Sequence, residues 1–155
     1  MAALTDGPLR PLAGDEVAPL AAACAAIDPY RRLGISAAGL GAYLAREDPA
    51  LHRFAIVTDD GAAGVLALRE PWLRGPFIEM LAILPDAQGR GLGRQVIHWA
   101  AARASSSGGN LWATVSDFNE AARIFYRRLD FIEMVELPGL ITPAAGEILL
   151  RRRSS

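Results

Sequence analysis

Lysine is missing from this 155-residue chain: all sixteen basic residues are Arg. That removes two classes of chemistry. A Walker phosphate loop needs Lys after its glycines, and a Schiff-base enzyme needs a Lys amine. Cysteine is nearly as scarce. Cys24 stands alone, so no intrachain disulfide can form and no thiolate cluster can hold a metal. In the run Leu20-Ala21-Ala22-Ala23-Cys24-Ala25-Ala26-Ile27 it reads as a small buried apolar residue. No His, Cys or carboxylate grouping has metal-ligand spacing. Charge of one sign is also lacking: 16 basic against 17 acidic residues leave a net −1, which gives no basic face for nucleic acid. No apolar run approaches the ~20 residues of a membrane span. Met1 to Asp6 lacks the basic start and apolar stretch of a signal peptide. The expectation is a soluble cytoplasmic protein with neither a nucleic-acid nor a membrane partner. Arg in place of every Lys hints at a GC-rich bacterial genome, on composition alone.

What is present is enough apolar residue for a packed core: 52% apolar against 21% charged, read as one domain over 1–155. Leu9 to Leu12 reads as an opening strand. Asp15 to Ile27 reads as a helix stopped by Asp28-Pro29. Ser36 is a cap for a second helix through Leu40, Tyr43 and Leu44. Phe54–Thr58, the turn Asp59-Asp60-Gly61 and Gly64–Leu68 read as a hairpin. Phe77 to Leu84, nearly unbroken apolar, suits a central strand covered on both faces. Leu92, Val96, Trp99 and Ala100 recur at helical spacing. Leu111–Val115 is a strand and Glu120–Leu129 a helix, with Asp117 and Glu120 at capping-box spacing. Phe131–Leu137 and Glu147–Leu150 are strands around a loop, Pro138 to Gly146. The order β-α-α-β-β-β-α-β-α-β-β is that of an α/β (α+β) domain with one mixed sheet.

The chemistry lies in Ile83-Leu84-Pro85-Asp86-Ala87-Gln88-Gly89-Arg90-Gly91-Leu92-Gly93-Arg94. A strand ends, a turn follows, and a glycine-spaced segment opens a helix. Backbone N–H groups in such a turn, together with the positive end of the helix dipole, hold a phosphate without Lys. Arg90 and Arg94 add charge at the rim. The dinucleotide fingerprint fits poorly, because the sixth position counted from Gly89 is Arg94, and from Gly91 it is Val96.

Gln88-Gly89-Arg90-Gly91-Leu92-Gly93 resembles the signature of the GNAT N-acetyltransferase superfamily: Gln or Arg, two residues, Gly, one residue, Gly or Ala. Pro85 also stands at a common position for that family. The resemblance extends over Val115 to Phe131, where Asn119, Phe125-Tyr126 and Asp130-Phe131 match the family's Asn, Phe-Tyr and Gly-Phe, with Asp130 in place of Gly. The resemblance implies a GNAT-like acyl-CoA N-acyltransferase fold, a sheet splayed between its fourth and fifth strands, and acetyl-CoA as cosubstrate without a metal. It implies that backbone groups of Leu81, Ala82 and Ile83 pair with the pantetheine arm, and that the N–H of Leu81 or a neighbour polarises the thioester carbonyl. Gln88, Gly89, Arg90, Gly91, Leu92, Gly93 and Arg94 would cradle the pyrophosphate, and Asn119 would hydrogen-bond the pantetheine.

Tyr126 matches the family's common general acid; as a residue it is also an aromatic packing beside Phe125. Glu79, the one charged residue in its strand, lies on the face of Leu81 and Ile83 and could act as base, or could pair with an Arg. Thr114 stands where ribosomal-protein alanine acetyltransferases carry a catalytic Glu, which disfavours that subfamily. Tyr30, Arg31, Arg32 and Trp72 are candidate acceptor contacts or loop anchors, and His52 and His98 read as packing or surface residues. The implied activity is direct acetyl transfer to a primary amine of a small molecule or peptide, with a homodimer compatible. A catalytically weak acetyl-CoA sensor or interaction module of the same fold is the alternative.

Overall fold

The change of apolar period along the sequence resolves into strands and helices in the expected order. The computed structural model describes residues 7–154. Its elements are β1 (Leu9–Pro11), α1 (Val17–Ala25), α2 (Ala37–Ala45), β2 (Leu51–Thr58), β3 (Gly61–Arg69), β4 (Phe77–Ile83), α3 (Leu92–Ser105), β5 (Asn110–Ser116), α4 (Glu120–Arg128), β6 (Ile132–Thr142) and β7 (Ala145–Arg153). The strands form a mixed sheet in the order β1-β2-β3-β4-β5-β7-β6. Two compact units divide the chain: the residues up to Leu68 with Met80–Val96, and Arg69–Glu79 with Ile97 onward. No helix among the described residues is long and apolar enough to cross a membrane.

In the first unit, Leu20, Cys24, Leu40 and Leu44 from the two helices join Leu51, Val65, Ala67, Met80 and Ala82 from the strands in one buried cluster. Helix α2 starts where its cap predicts, with Ser36 Oγ accepting from the Gly39 N–H at 3.0 Å. Helix α1 is shorter than the sequence suggests. Glu16 accepts Arg10 in a fork at 2.6 Å and the Ala13 N–H at 3.0 Å, which closes Gly14–Glu16 into a 3-10 turn. At the far end the Ile27 N–H reaches only to the Cys24 carbonyl, so the last turn tightens and the helix stops at Ala25. Strands β3 and β4 approach so closely that a Cβ on Gly64 would lie 2.2 Å from the Ala82 carbonyl oxygen.

Strand β4 departs from its expected environment. Ile78, Met80 and Ala82 are buried, while Phe77, Glu79, Leu81 and Ile83 are half-buried. One face of the run is buried and the other half-buried, where burial on both faces was expected.

In the second unit, β5 and β7 pair antiparallel from Asn110↔Arg153 to Ser116↔Glu147. The parallel ladder of β4 with β5 is short, Phe77↔Trp112 and Ile78↔Ala113. The expected loop Pro138 to Gly146 is instead mostly strand. β6 runs to Thr142, β7 begins at Ala145, and only Pro143 and Ala144 make the turn. Register shifts between Glu133 and Val135 and between Pro138 and Thr142 accommodate the Pro-Gly pair within an edge strand.

Candidate active site

The glycine segment of the first unit has the backbone that its composition calls for. After the 3-10 turn Pro85–Ala87, Gly89 and Gly91 both take φ +78°, and α3 begins at Leu92. The turn is braced by side chains: Gln88 Nε2 donates to the Ile83 carbonyl at 2.9 Å, and Arg90 Nη2 donates to the Asp86 carbonyl at 2.9 Å. The first-turn N–H groups of a helix have no intrahelical acceptor. Two left-handed glycines ahead of such a helix start are backbone of the kind that can hold an anion. Upstream on β4, Leu81 and Ile83 belong to the half-buried face, and the Ala82 carbonyl abuts Gly64.

Glu79 is not a free carboxylate. Arg69 Nε donates to its Oε2 at 2.5 Å and Arg69 Nη2 to its Oε1 at 3.2 Å. Of the two readings of this residue, pairing with an Arg is the arrangement adopted. To take a proton from an amine, Glu79 would first have to part from Arg69.

In the second unit, Asn119 caps α4, its Oδ1 accepting from the Ala122 N–H at 3.2 Å. This corrects the capping box expected at Asp117 and Glu120. Asp117 lies two residues too early to cap, and its Oδ2 accepts the Gly146 N–H at 3.1 Å instead. The amide nitrogen of Asn119 takes no part in the cap.

Tyr126 is buried, its ring packed edge-on against Phe125 at 5.2 Å and Phe131 at 5.1 Å. Burial pushes its hydroxyl pKa well above the ordinary tyrosine value, so the group is protonated at neutral pH. Helix α4 ends in a Schellman turn: the Phe131 N–H bonds to the Tyr126 carbonyl, and the Asp130 N–H to the Arg127 carbonyl. Asp130 occupies the left-handed position at φ +69°.

The acceptor candidates fall in different units, Tyr30 and Arg31 in the first and Trp72 in the second. Tyr30 packs against the first unit's core cluster, and the exposed Arg31 lies 3.4 Å from Asp28. Trp72 stacks on Phe77 with centroids 4.7 Å apart and meets Trp112 edge-on at 5.5 Å, so it anchors its loop within the second unit. His98 is exposed and His52 half-buried. Cys24 is fully buried, and desolvation pushes its thiol up to about 11, which makes it inert as a nucleophile. Among the described residues, no group of three His, Cys, Asp or Glu is placed to hold a metal.

Sequence reasoning missed Glu147. It is 5% exposed, and its Oε2 accepts from Ser116 Oγ at 2.6 Å. Desolvation raises its pKa, with a smaller push from Asp117, against the lowering effect of the Ser116 hydrogen bond. The available signal was the one that singled out Glu79: a lone charge beginning an apolar strand, here Glu147-Ile148-Leu149-Leu150.

A family model described as the acetyltransferase (GNAT) family matches residues 28–131. No curated protein matches the chain. Among solved structures, an acetyltransferase of Thermus thermophilus is 24% identical over 94% of this chain and 96% of that one, with a TM-score of 0.73. A nourseothricin acetyltransferase is 25% identical over 70% and 68%, with a TM-score of 0.63. A GNAT family acetyltransferase of Elizabethkingia anophelis, solved with acetyl-CoA bound, is 13% identical over 68% and 77%, with a TM-score of 0.61. The matched segment takes in both the glycine turn and α4 with its cap and closing turn, and on that ground the chain belongs to the GNAT acetyltransferase family.

Proposed function

We propose that the protein moves an acetyl group from acetyl-CoA to a primary amine of a small molecule or peptide, by direct attack of the amine on the thioester. The observation that carries this reading is the Gln88–Arg94 turn, where Gly89 and Gly91 hold left-handed backbone at the start of a helix of fourteen residues. Such a cradle fits the pyrophosphate of acetyl-CoA, with Arg90 and Arg94 at its rim. Leu81, Ala82 and Ile83 would pair with the pantetheine arm, and Asn119 would bond it through the amide nitrogen that the cap leaves over. The donor supplies an activated acyl group. The protein orients it, polarises its carbonyl through a β4 N–H, and returns a proton to the departing thiolate from Tyr126. With Cys24 buried, no acetyl-enzyme is invoked.

The Arg69–Glu79 pair favours one second reading, a module that binds acetyl-CoA with little turnover, because it leaves β4 without a free carboxylate. Thermal melting with acetyl-CoA, followed by an acceptor panel read by thiol release, separates the two. At ~100 times its dissociation constant a ligand adds about 2.7 kcal/mol, a melting shift of several degrees. Gly91→Val should abolish that shift, since Val at a left-handed φ strains the turn. No shift in the unmodified protein would end both readings, and a shift without turnover on any amine would favour the module.

A further inference from the structure

Among the described residues, one buried side-chain polar atom has no hydrogen-bond partner: Nη1 of Arg152. A buried donor left unmet is costly, more so on a charged group, and calls for an acceptor. Strand alternation explains how the guanidinium comes to be there. Arg152 stands opposite Leu111 and continues the β7 face of the buried Ile148 and Leu150, as the last core-facing position of the strand. Its charge is not compensated either. Among the described residues neither Arg152 nor the adjacent Arg153 forms an ion pair. Both arginines line a cavity of about 440 Å³, with Asp130 on its wall, and Asp130 pairs with neither. Another wall is α3, where His98, Ala101, Ala102 and Ser105 recur at helical spacing and share one face. The polar groups at that helix end are engaged among themselves. The Arg103 carbonyl accepts the Ser106 N–H, the Ala104 carbonyl accepts those of Ser107 and Gly109, and Ser105 Oγ donates to the Ala101 carbonyl. Within the second unit, then, a half-buried guanidinium with an unmet donor borders a cavity of ligand size, beside a second unpaired arginine.

We propose that this cavity binds a phosphate group, free or on a small ester, with Arg152 as its anchor. The site lies wholly within the second unit and does not depend on the acetyltransferase reading. A guanidinium offers a planar fork of N–H donors that matches an oxyanion. A carboxylate has two oxygens in one plane and suits a single fork. The tetrahedral oxygens of a phosphate point in several directions, so Arg152 and Arg153 can both donate to it. Its charge, between one and two near neutral pH, also matches two guanidinium groups. Asp130 repels a phosphate set against it, which keeps the anion on the arginine side. As an acceptor, Asp130 suits a hydroxyl carried by the rest of an ester. The cavity has about fifteen times the ~30 Å³ of a water, which leaves room for such a group beyond the phosphate.

The test uses the full chain, isotopically labelled, at low ionic strength. Inorganic phosphate, glycerol 3-phosphate and acetate are titrated in turn, and backbone amide shifts are followed by NMR. Phosphate should give saturable shifts at residues 98–105 and 151–154, with at least tenfold higher affinity than acetate. Tighter binding of glycerol 3-phosphate marks an ester as the occupant, and equal binding marks free phosphate. Arg152→Met keeps the apolar stem and removes the donors, and should weaken phosphate at least tenfold. Ala102→Leu fills the cavity from an exposed helix position and should do the same, which preserves the test if Arg152→Met fails to fold. Acetate binding as tightly as phosphate overturns the proposal, as does an affinity that survives Ala102→Leu. So does the absence of saturable shifts at these residues, including the case in which phosphate shifts only residues 89–94 and so occupies the glycine turn.

Discussion

Phe131 is bound to Tyr126 twice, once through its backbone N–H on the Tyr126 carbonyl at 3.1 Å and once through its ring, edge-on at 5.1 Å. The turn that ends α4 is therefore also the device that holds the candidate acid. A hydrophobic contact between these two positions commonly accompanies a Schellman turn. Here it fixes the side chain on which the proposed proton transfer depends.

The left-handed residue of that turn is Asp130, at φ +69°. Asp tolerates this conformation better than most residues and worse than Gly. Asp130→Gly should stabilise the protein by about 0.5–1 kcal/mol, raising Tm by ~1–4 °C, and Asp130→Val should lower it by at least as much. Thermal unfolding checks both signs. A destabilising Asp130→Gly would mean that the Asp side chain contributes more than the turn geometry costs.

Tyr126→Phe keeps the ring between Phe125 and Phe131 and removes only the hydroxyl. Turnover should fall by roughly 10²–10⁴, as for loss of a general acid, with acetyl-CoA affinity little changed. The protein should lose no stability, since the phenol's hydroxyl is desolvated in the fold. Steady-state kinetics on a verified acceptor, with melting curves beside them, read both effects. Full turnover in the variant removes Tyr126 from the mechanism and leaves the fold and the donor assignment standing.

Gly64→Ala puts a Cβ 2.2 Å from the Ala82 carbonyl oxygen, a contact that neither backbone can satisfy in place. Strand β4 must shift just where the donor's pantetheine arm is proposed to pair. We expect a loss of about 1–3 kcal/mol of stability, as for overpacking, and at least a tenfold weaker acetyl-CoA affinity. Calorimetric titration at a temperature where the variant is folded separates the two. Unchanged affinity would argue that the donor does not use the backbone at Ala82.

The features legible in the sequence are those decided within a few residues. The Ser36 cap, the glycines before α3 and the left-handed place of Asp130 each follow from local backbone preference. What could not be read depends on strands brought together from far apart. Arg69 meets Glu79 from ten residues away, and Ser116 meets Glu147 from thirty-one, so neither partner is visible from its own segment. The cap at α4 was misplaced by two residues because Asp117 is taken up by the Gly146 N–H, a partner twenty-nine residues distant. The apolar run at β4 concealed a half-buried face, since composition records hydrophobicity and not what covers it.

Glu147 also ties stability to pH, and the sign follows from its surroundings. Burial and Asp117 raise its pKa above the ordinary value of 4.5. Between the unfolded and folded values the native state binds more protons than the unfolded chain, so stability falls as pH rises. The favourable contribution is full below about pH 4.5 and is lost as pH climbs through the folded value. Glu147→Gln removes the ionisation and nearly preserves shape. Its Tm relative to the unmodified protein should therefore improve as pH rises from about 4.5 through the folded value, and stay level above it. Glu16 and Glu133 shift the opposite way, held low by Arg10 and Arg123, but both proteins carry them and they cancel in the difference. Parallel Tm profiles of the two proteins across that range would show that Glu147 is already compensated in the fold, and would count against the pH dependence.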